Sequence, residues 1–129
     1  MAGSLVVARY RDGRVVKGTT TDFSPLRDRF HVDAAGAIEE VLYEELKAIF
    51  FVRDLGGNAR HKKLNAFVGD QPVIGRKLAV EFTDGEMLLG TTQGYRPDRK
   101  GFFVVPADPK SNAVRCYVIT SATRRVKMG

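Results

Sequence analysis

Hydrophobic and polar residues alternate in two stretches of the chain. The apolar positions are Val6, Ala8 and Tyr10 in the first stretch and Leu78, Val80 and Phe82 in the second. A period of two residues is typical of a β-strand that buries one face. Both stretches therefore predict strands that lie against a core.

The second stretch repeats the first at a fixed distance. Asp12-Gly13 recurs as Asp84-Gly85, 72 residues further along (84 − 12), and Pro25 recurs as Pro97. The same spacing relates Gly18 to Gly90, Thr19 to Thr91, Thr20 to Thr92, Arg27 to Arg99, Phe30 to Phe102 and Val32 to Val104. We interpret the two stretches as two copies of one supersecondary unit.

The Asp-Gly dipeptide predicts a hairpin turn in each copy. A two-residue turn at Asp12-Gly13 would place Lys17 on the core face, which would bury a charge. A three-residue loop closed by a left-handed Gly13 and a bulge instead places Tyr10 opposite Arg14. We expect the second register. Its inward-facing residues are Tyr10, Val16 and Gly18.

The remaining pattern predicts about five strands in each copy. We expect Gly18 and Gly90 to begin the third strands, where the missing side chain permits a sharp bend. Later features are a helical turn at 43–46, strands at 48–52 and 114–119, a turn at 121–122 and a last strand at 124–126. The expected fold is mainly all-β: two tandem five-stranded small barrels that share an interface, with one short helical turn. They resemble Sm-like or Src-homology-type barrels.

We expect the first barrel at 1–54 and the second at 76–129. The segment 55–75 is rich in glycine, asparagine and lysine and reads as a linker that either docks or adds an edge strand. A unit of about 50 residues is marginal on apolar burial alone. The two copies should therefore share a core, for which Phe50, Phe51 and Phe103 are the candidates.

The net charge of +6 favours acidic partners, although net charge says nothing about the fold. Cys116 is the single cysteine, so no disulfide can form within the chain. Arg9 and Arg11 interrupt the first apolar run, and no stretch is long enough to span a bilayer. We expect a cytoplasmic protein without membrane insertion.

The residues capable of catalysis lie on different elements. His31 occupies the position of Phe103 and reads as a strand histidine, while His61 lies in a basic loop. Cys116 alternates with neighbours in a strand and reads as a core residue. The sequence contains no nucleophile paired with a base and no spacing typical of metal ligands. We therefore expect no catalytic residue, no metal and no cofactor, and we expect that the protein is not an enzyme.

Two basic loops around the repeated proline are the candidate ligand-binding regions. Guanidinium groups bind phosphates bidentately, and nearby aromatic rings can stack on a base. The candidates are Phe23, Arg27 and Arg29 in the first copy and Tyr95, Arg96, Arg99 and Lys100 in the second. The alternative is an ordinary solvated face, since Asp22, Asp28 and Asp98 lie in the same loops. The basic run 124–127 reads as an edge strand whose charges discourage pairing.

Three family resemblances follow from these motifs. The Asp-Gly turn followed by Val15-Val16 and Gly18 resembles the first motif of Sm-like proteins, which implies oligomeric rings that bind single-stranded RNA. Asp22-Phe23-Ser24 resembles part of the PilZ-type barrel, a cyclic di-GMP receptor. The strand and turn at 101–112, with much of the remaining chain, resembles an uncharacterised bacterial domain associated with PilZ-type signalling proteins.

The resemblances imply a bacterial regulatory or adaptor module. We expect it to bind a protein partner, or alternatively a nucleotide such as a cyclic dinucleotide. Sm-like binding of single-stranded RNA or DNA is the second hypothesis. A homodimer is compatible with both.

Overall fold

The computed structural model describes residues 3–55, 75–108 and 111–129. The predicted linker, apart from its two end residues, lies outside the described residues, and so does His61.

Ten strands and two single 3₁₀ turns make up the described chain. The strands are β1 (Ser4–Tyr10), β2 (Val15–Thr20), β3 (Arg29–Ala34), β4 (Ala37–Leu42), β5 (Leu46–Val52), β6 (Arg76–Phe82), β7 (Met87–Thr92), β8 (Gly101–Pro106), β9 (Ala113–Ile119) and β10 (Thr123–Met128). The 3₁₀ turns are Tyr43–Glu45 and Thr120–Ala122, each directly before the fifth strand of its copy. The all-β class and the five strands in each copy are confirmed.

All ten strands belong to one antiparallel sheet with the order β10-β6-β7-β8-β9-β5-β1-β2-β3-β4. Within it, each copy keeps the same internal order, with its fifth strand beside its first. The copies are joined by β5, which pairs with β9. The expected shared interface is therefore a strand pair within one continuous sheet, and not a contact between two separately closed sheets.

Strands β5 and β9 contribute to both hydrophobic cores because their side chains alternate between the two faces of the sheet. Phe51 packs in the first core and Phe50 against the second. In β9, Cys116 packs in the second core and Tyr117 in the first. Phe103 of the second copy packs against the first core. The three phenylalanines lie where the copies meet, as predicted, but they divide between two cores instead of forming one shared core. Cys116 is a core residue.

A buried lysine adds an ionic link between the copies. The Nζ of Lys47 donates hydrogen bonds to Asp84 Oδ2 at 2.7 Å and to Glu86 Oε1 at 2.8 Å. Lys47 is only 7% exposed. Its hydrogen bond holds the pKa of Asp84 below the usual value. These hydrogen bonds link the Asp-Gly turn of the second copy to the fifth strand of the first copy.

The predicted turn register is correct in both copies. The amide of Tyr10 donates to Arg14 O at 2.9 Å, and the amide of Phe82 donates to Glu86 O at 2.9 Å. Gly13 has a φ of 96° and its counterpart in the second copy a φ of 91°. Positive φ values of this kind favour glycine, which explains the repeated Asp-Gly sequence.

The expected position of two repeated glycines is wrong. Gly18 lies inside β2 and Gly90 inside β7, so neither begins a third strand. A Cβ at Gly18 would collide with the carbonyl oxygen of Asp33, and a Cβ at Gly90 with that of Val105. These glycines permit the close approach of the third strand of each copy, and the second strand therefore continues past them.

Candidate functional site

The two basic loops converge because the copies are joined through β5 and β9. One 3₁₀ turn precedes β5 and the other follows β9, which brings the turns to the same end of this strand pair. Each turn is fastened to the basic loop of its own copy. Tyr43 donates its amide to Asp28 O at 3.0 Å, and Thr120 donates its amide to Lys100 O at 2.8 Å. The loops and turns together form a surface groove, which we call the interloop groove.

The interloop groove has a volume of about 510 Å³ and draws residues from both copies. Its lining residues are Asp28, Arg29, Leu42, Tyr43, Glu44, Pro97, Asp98, Arg99, Lys100, Ile119, Thr120 and Ser121. The walls combine apolar side chains with three cationic and three acidic ones. A groove of this size and mixed character is suited to a small ligand or to one or two side chains of a partner.

The cation of the first copy in the groove is already paired with carboxylates. Arg29 donates from Nε to Asp28 Oδ1 at 3.1 Å, and its guanidinium also reaches Glu40 at 3.4 Å. The hydrogen bond from Arg29 lowers the pKa of Asp28, and the charge of Lys100 adds a smaller effect. These partners reduce the share of the Arg29 charge that is available to a ligand.

The cations of the second copy are less neutralised. Arg99 and Lys100 line the groove, and within the described residues neither side chain lies within 4.0 Å of a carboxylate oxygen. Burial raises the pKa of Tyr117, and the nearby charge of Arg99 partly offsets this rise. Arg99 and Lys100 therefore form the most accessible positive charge of the groove.

Two further predicted cations lie in the same loops but do not line the groove. Arg96 pairs with Asp98 at 3.4 Å, and both side chains are more than half exposed. Arg27 closes a turn through its amide, which donates to Ser24 O at 3.2 Å, and the equivalent amide of Arg99 donates to Arg96 O at 3.2 Å. The loops thus have matching turns in the two copies.

The two predicted stacking residues are partly buried and pack against the two cores. The ring of Phe23 makes edge contacts with Phe30 at 5.6 Å, Phe51 at 5.0 Å and Tyr117 at 5.3 Å between ring centroids. Tyr95 packs edge-on against Phe102 at 4.7 Å. These contacts give both rings a structural role in holding their loops on the cores.

Tyr43 is a groove residue that the sequence pattern does not identify. It is 3% exposed, and its hydroxyl donates to Ser24 O at 2.7 Å, which ties the 3₁₀ turn to the first basic loop. Burial raises its pKa to about 12. The signal that could have pointed to it is its position at the start of the predicted helical turn.

A second polar cluster surrounds His31 on β3, where the sequence predicts a strand histidine. Its Nδ1 lies 2.7 Å from Asp22 Oδ2, and its Nε2 lies 3.6 Å from Glu40 Oε2. Burial alone would raise the pKa of Asp22, but hydrogen bonds from His31 and Thr20 lower it overall. Among the described residues, no group of three or more histidine, cysteine, aspartate or glutamate side chains could hold a metal ion.

Comparison with known proteins places the chain in a family. A model of DUF6982, described as a family of unknown function, matches residues 2–129. The chain belongs to the DUF6982 family. No curated protein and no solved structure matches this DUF6982 chain. In the part of the DUF6982 chain that the structure describes, no helix has the length and apolar character needed to cross a membrane.

Proposed function

We propose that this protein is a non-enzymatic bacterial adaptor or regulatory module of the cytoplasm that binds a protein partner at the interloop groove. The observation that carries the proposal is that both copies supply walls of one groove at their junction. The resemblance of the strand and turn at 101–112 to a domain associated with PilZ-type signalling proteins agrees with this proposal.

The chemistry of the groove favours a polypeptide as the ligand. The groove has as many cationic as acidic lining residues. The cations are Arg29, Arg99 and Lys100, and the acids are Asp28, Glu44 and Asp98. A polyphosphate strand would be repelled by the three carboxylates, whereas a polypeptide offers charges of both signs together with apolar side chains. Leu42 and Pro97 provide apolar contact surface in the groove, whereas Ile119 lies beneath them at 3% exposure.

An exposed leucine lies in the loop that leads to two residues of the groove, Asp28 and Arg29. Leu26 lies in the basic loop of the first copy and is 93% exposed. Single exposed apolar side chains are common on protein surfaces, so Leu26 bears on the proposal only through its position two residues before Asp28, which lines the groove. We expect Leu26 and the groove to contact the same partner.

The test is site-specific photocrosslinking in a bacterial lysate. A photoreactive residue in place of Ser121, which lines the groove, should give a discrete adduct with one partner protein. The matched position is Lys17, an exposed residue of β2 that does not line the groove. Identical adducts from both positions, or no adduct from Ser121, would contradict the proposal.

The adduct should also depend on the groove's accessible charge. Reversing Arg99 and Lys100 together to glutamate should reduce the Ser121 adduct, while Lys17→Glu should leave it unchanged. If the adduct forms equally in both variants, the partner does not use this charge.

An anionic nucleotide or a single-stranded nucleic acid is the second candidate. It is favoured by Arg99 and Lys100, which line the groove without a carboxylate within 4.0 Å among the described residues. A ligand held by phosphate contacts should lose affinity steeply as salt rises. Calorimetric titration with cyclic di-GMP and a short RNA oligonucleotide at low and high salt tests this candidate, with the Arg96 and Arg99 charge reversals as the variants. Heat of binding that is insensitive to both salt and charge reversal would exclude it.

A further inference from the structure

The strand pair that joins the two copies can in principle recur between two molecules. It pairs the fifth strand of the first copy, β5, with the fourth strand of the second, β9. The fifth strand of the second copy is β10, and the fourth strand of the first copy is β4. In the part of the chain that the structure describes, these two strands are the edges of the sheet. One molecule therefore carries, at its opposite edges, the two halves of a contact that it already makes internally.

The registers of the two copies establish which residues correspond. In the first copy Phe30 pairs with Val41, and in the second Phe102 pairs with Val118. Arg9 pairs with Ala48, and its repeat Glu81 pairs with Arg125. Both fifth strands also have a register shift at the same place relative to the first strand. Strand β4 thus corresponds to β9, and β10 to β5, at a spacing of 77 residues.

The junction register predicts how β10 of one molecule would pair with β4 of another. The pairs Phe50 with Cys116 and Phe51 with Arg115 define the junction. Their counterparts are Lys127 with Glu39 and Met128 with Ile38. Lys127 and Glu39 are exposed, and Ile38 is 66% exposed although it is a large apolar residue. Two of the transferred pairs thus place opposite charges and two apolar side chains directly across from one another, while Val126 lies opposite Glu40 and Arg125 opposite Val41.

The charges of the two edge strands are opposite in sign. They favour pairing of β10 with β4 over pairing of β10 with a second β10. Strand β10 carries Arg124, Arg125 and Lys127, and β4 carries Glu39 and Glu40. Like charges directly opposite each other destabilise a strand pair, whereas opposite charges stabilise it. The basic edge therefore resists pairing with a second β10, as its sequence predicts, but not pairing with an acidic β4.

We infer that the protein associates with further copies of itself head to tail, with β10 of one molecule pairing antiparallel to β4 of the next. Such a contact joins two different surfaces, so each molecule keeps one unused edge for another copy. The assembly grows until its rotation closes it or as an open chain. Pairing also satisfies the backbone groups that an edge strand otherwise presents to water.

The contact between copies is weaker than the internal junction. At the junction Lys47 binds both Asp84 and Glu86. In a contact between molecules, Arg124 takes the place of Lys47, and the neighbouring molecule presents Asp12 and Arg14 in place of the two carboxylates. Arg14 already pairs with Asp12 at 2.9 Å. Association should therefore be reversible, dependent on protein concentration and weakened by salt.

Sedimentation velocity of the full chain over a range of concentrations tests the inference. The wild type should shift to larger species as its concentration rises at low salt. Lys127→Glu and Glu39→Lys should each weaken association by roughly tenfold, because each places like charges opposite one another. Combining both substitutions in one chain should restore association, since the pair is then reversed but again complementary.

Lys17→Glu is the matched control, because it makes the same change of charge on β2, which lies inside the sheet. Circular dichroism checks that every variant is folded. A wild type that remains monomeric at all concentrations would overturn the inference, and so would association that the double variant fails to restore. Equal weakening by Lys17→Glu would show that only net charge matters, which would also overturn it.

Discussion

The buried phenol of Tyr43 should make the protein lose stability at alkaline pH. The side chain is 3% exposed, and burial raises its pKa from 10.0 to about 12. Below pH 10 the phenol is neutral in the folded and unfolded chains, so it contributes no pH dependence. Above pH 10 the unfolded chain releases the proton first, so this contribution to stability is lost as pH rises towards 12.

The size of the loss follows from the shift in pKa. Each pKa unit corresponds to about 1.4 kcal/mol, and at about pH 11.5 most of the shift has taken effect, giving a loss of about 2 kcal/mol. Removing the hydroxyl by Tyr43→Phe also breaks the 2.7 Å hydrogen bond to Ser24 O. That change should cost about 1 kcal/mol at neutral pH.

The two effects have opposite signs, which gives a crossover that urea unfolding can measure. At about pH 8 the Tyr43→Phe variant should be less stable than the wild type by about 1 kcal/mol. At about pH 11.5 it should be more stable by about 1 kcal/mol, because it lacks the ionising group. A stability difference that stays constant between these pH values would refute the burial of an ionisable phenol at this position.

Three further predictions concern the junction and the repeated glycines. Lys47→Met should lower the free energy of unfolding by about 1–2 kcal/mol, measured by urea unfolding, because it removes two hydrogen bonds to half-exposed carboxylates; an unchanged value would contradict the ionic link. Gly90→Ala should lower the melting temperature clearly, because the new Cβ would lie 2.6 Å from Val104 Cγ1, whereas Gly94→Ala has open space and should have little effect; equal effects would refute the close approach. Cys116 is buried and should react with a thiol reagent only when urea unfolds the chain, so rapid labelling of the native protein would contradict its place in the core.

Most of the features that the sequence predicts correctly are local ones. The Asp-Gly turns and the bulged register at Tyr10 follow from the glycine conformation and from the cost of burying Lys17. The duplication follows from the spacing of 72 residues. The sequence pattern gives the wrong place for Gly18, because a period of two residues cannot reveal that a carbonyl of the next strand occupies the space of its Cβ.

The junction and the groove could not be predicted in the same way. The pairing of β5 with β9 joins residues more than 60 positions apart, and both strands are apolar on both faces, so their patterns name no particular neighbour. Tyr43, Ile119 and Ser121 become groove residues only through that pairing. Phe23 is aromatic in a basic loop, and only the structure shows that its ring packs against the core.

The fold depends on the fusion of two copies of one unit through β5 and β9 into a single sheet. Nuclear Overhauser contacts in dilute solution test it most directly, where contacts between molecules are absent. Backbone contacts between Ile49 and Tyr117 and between Phe50 and Cys116 should persist on dilution. If these contacts are absent, and the amides of β5 and β9 exchange with solvent as fast as those of β4 and β10, the two copies are not joined in this way.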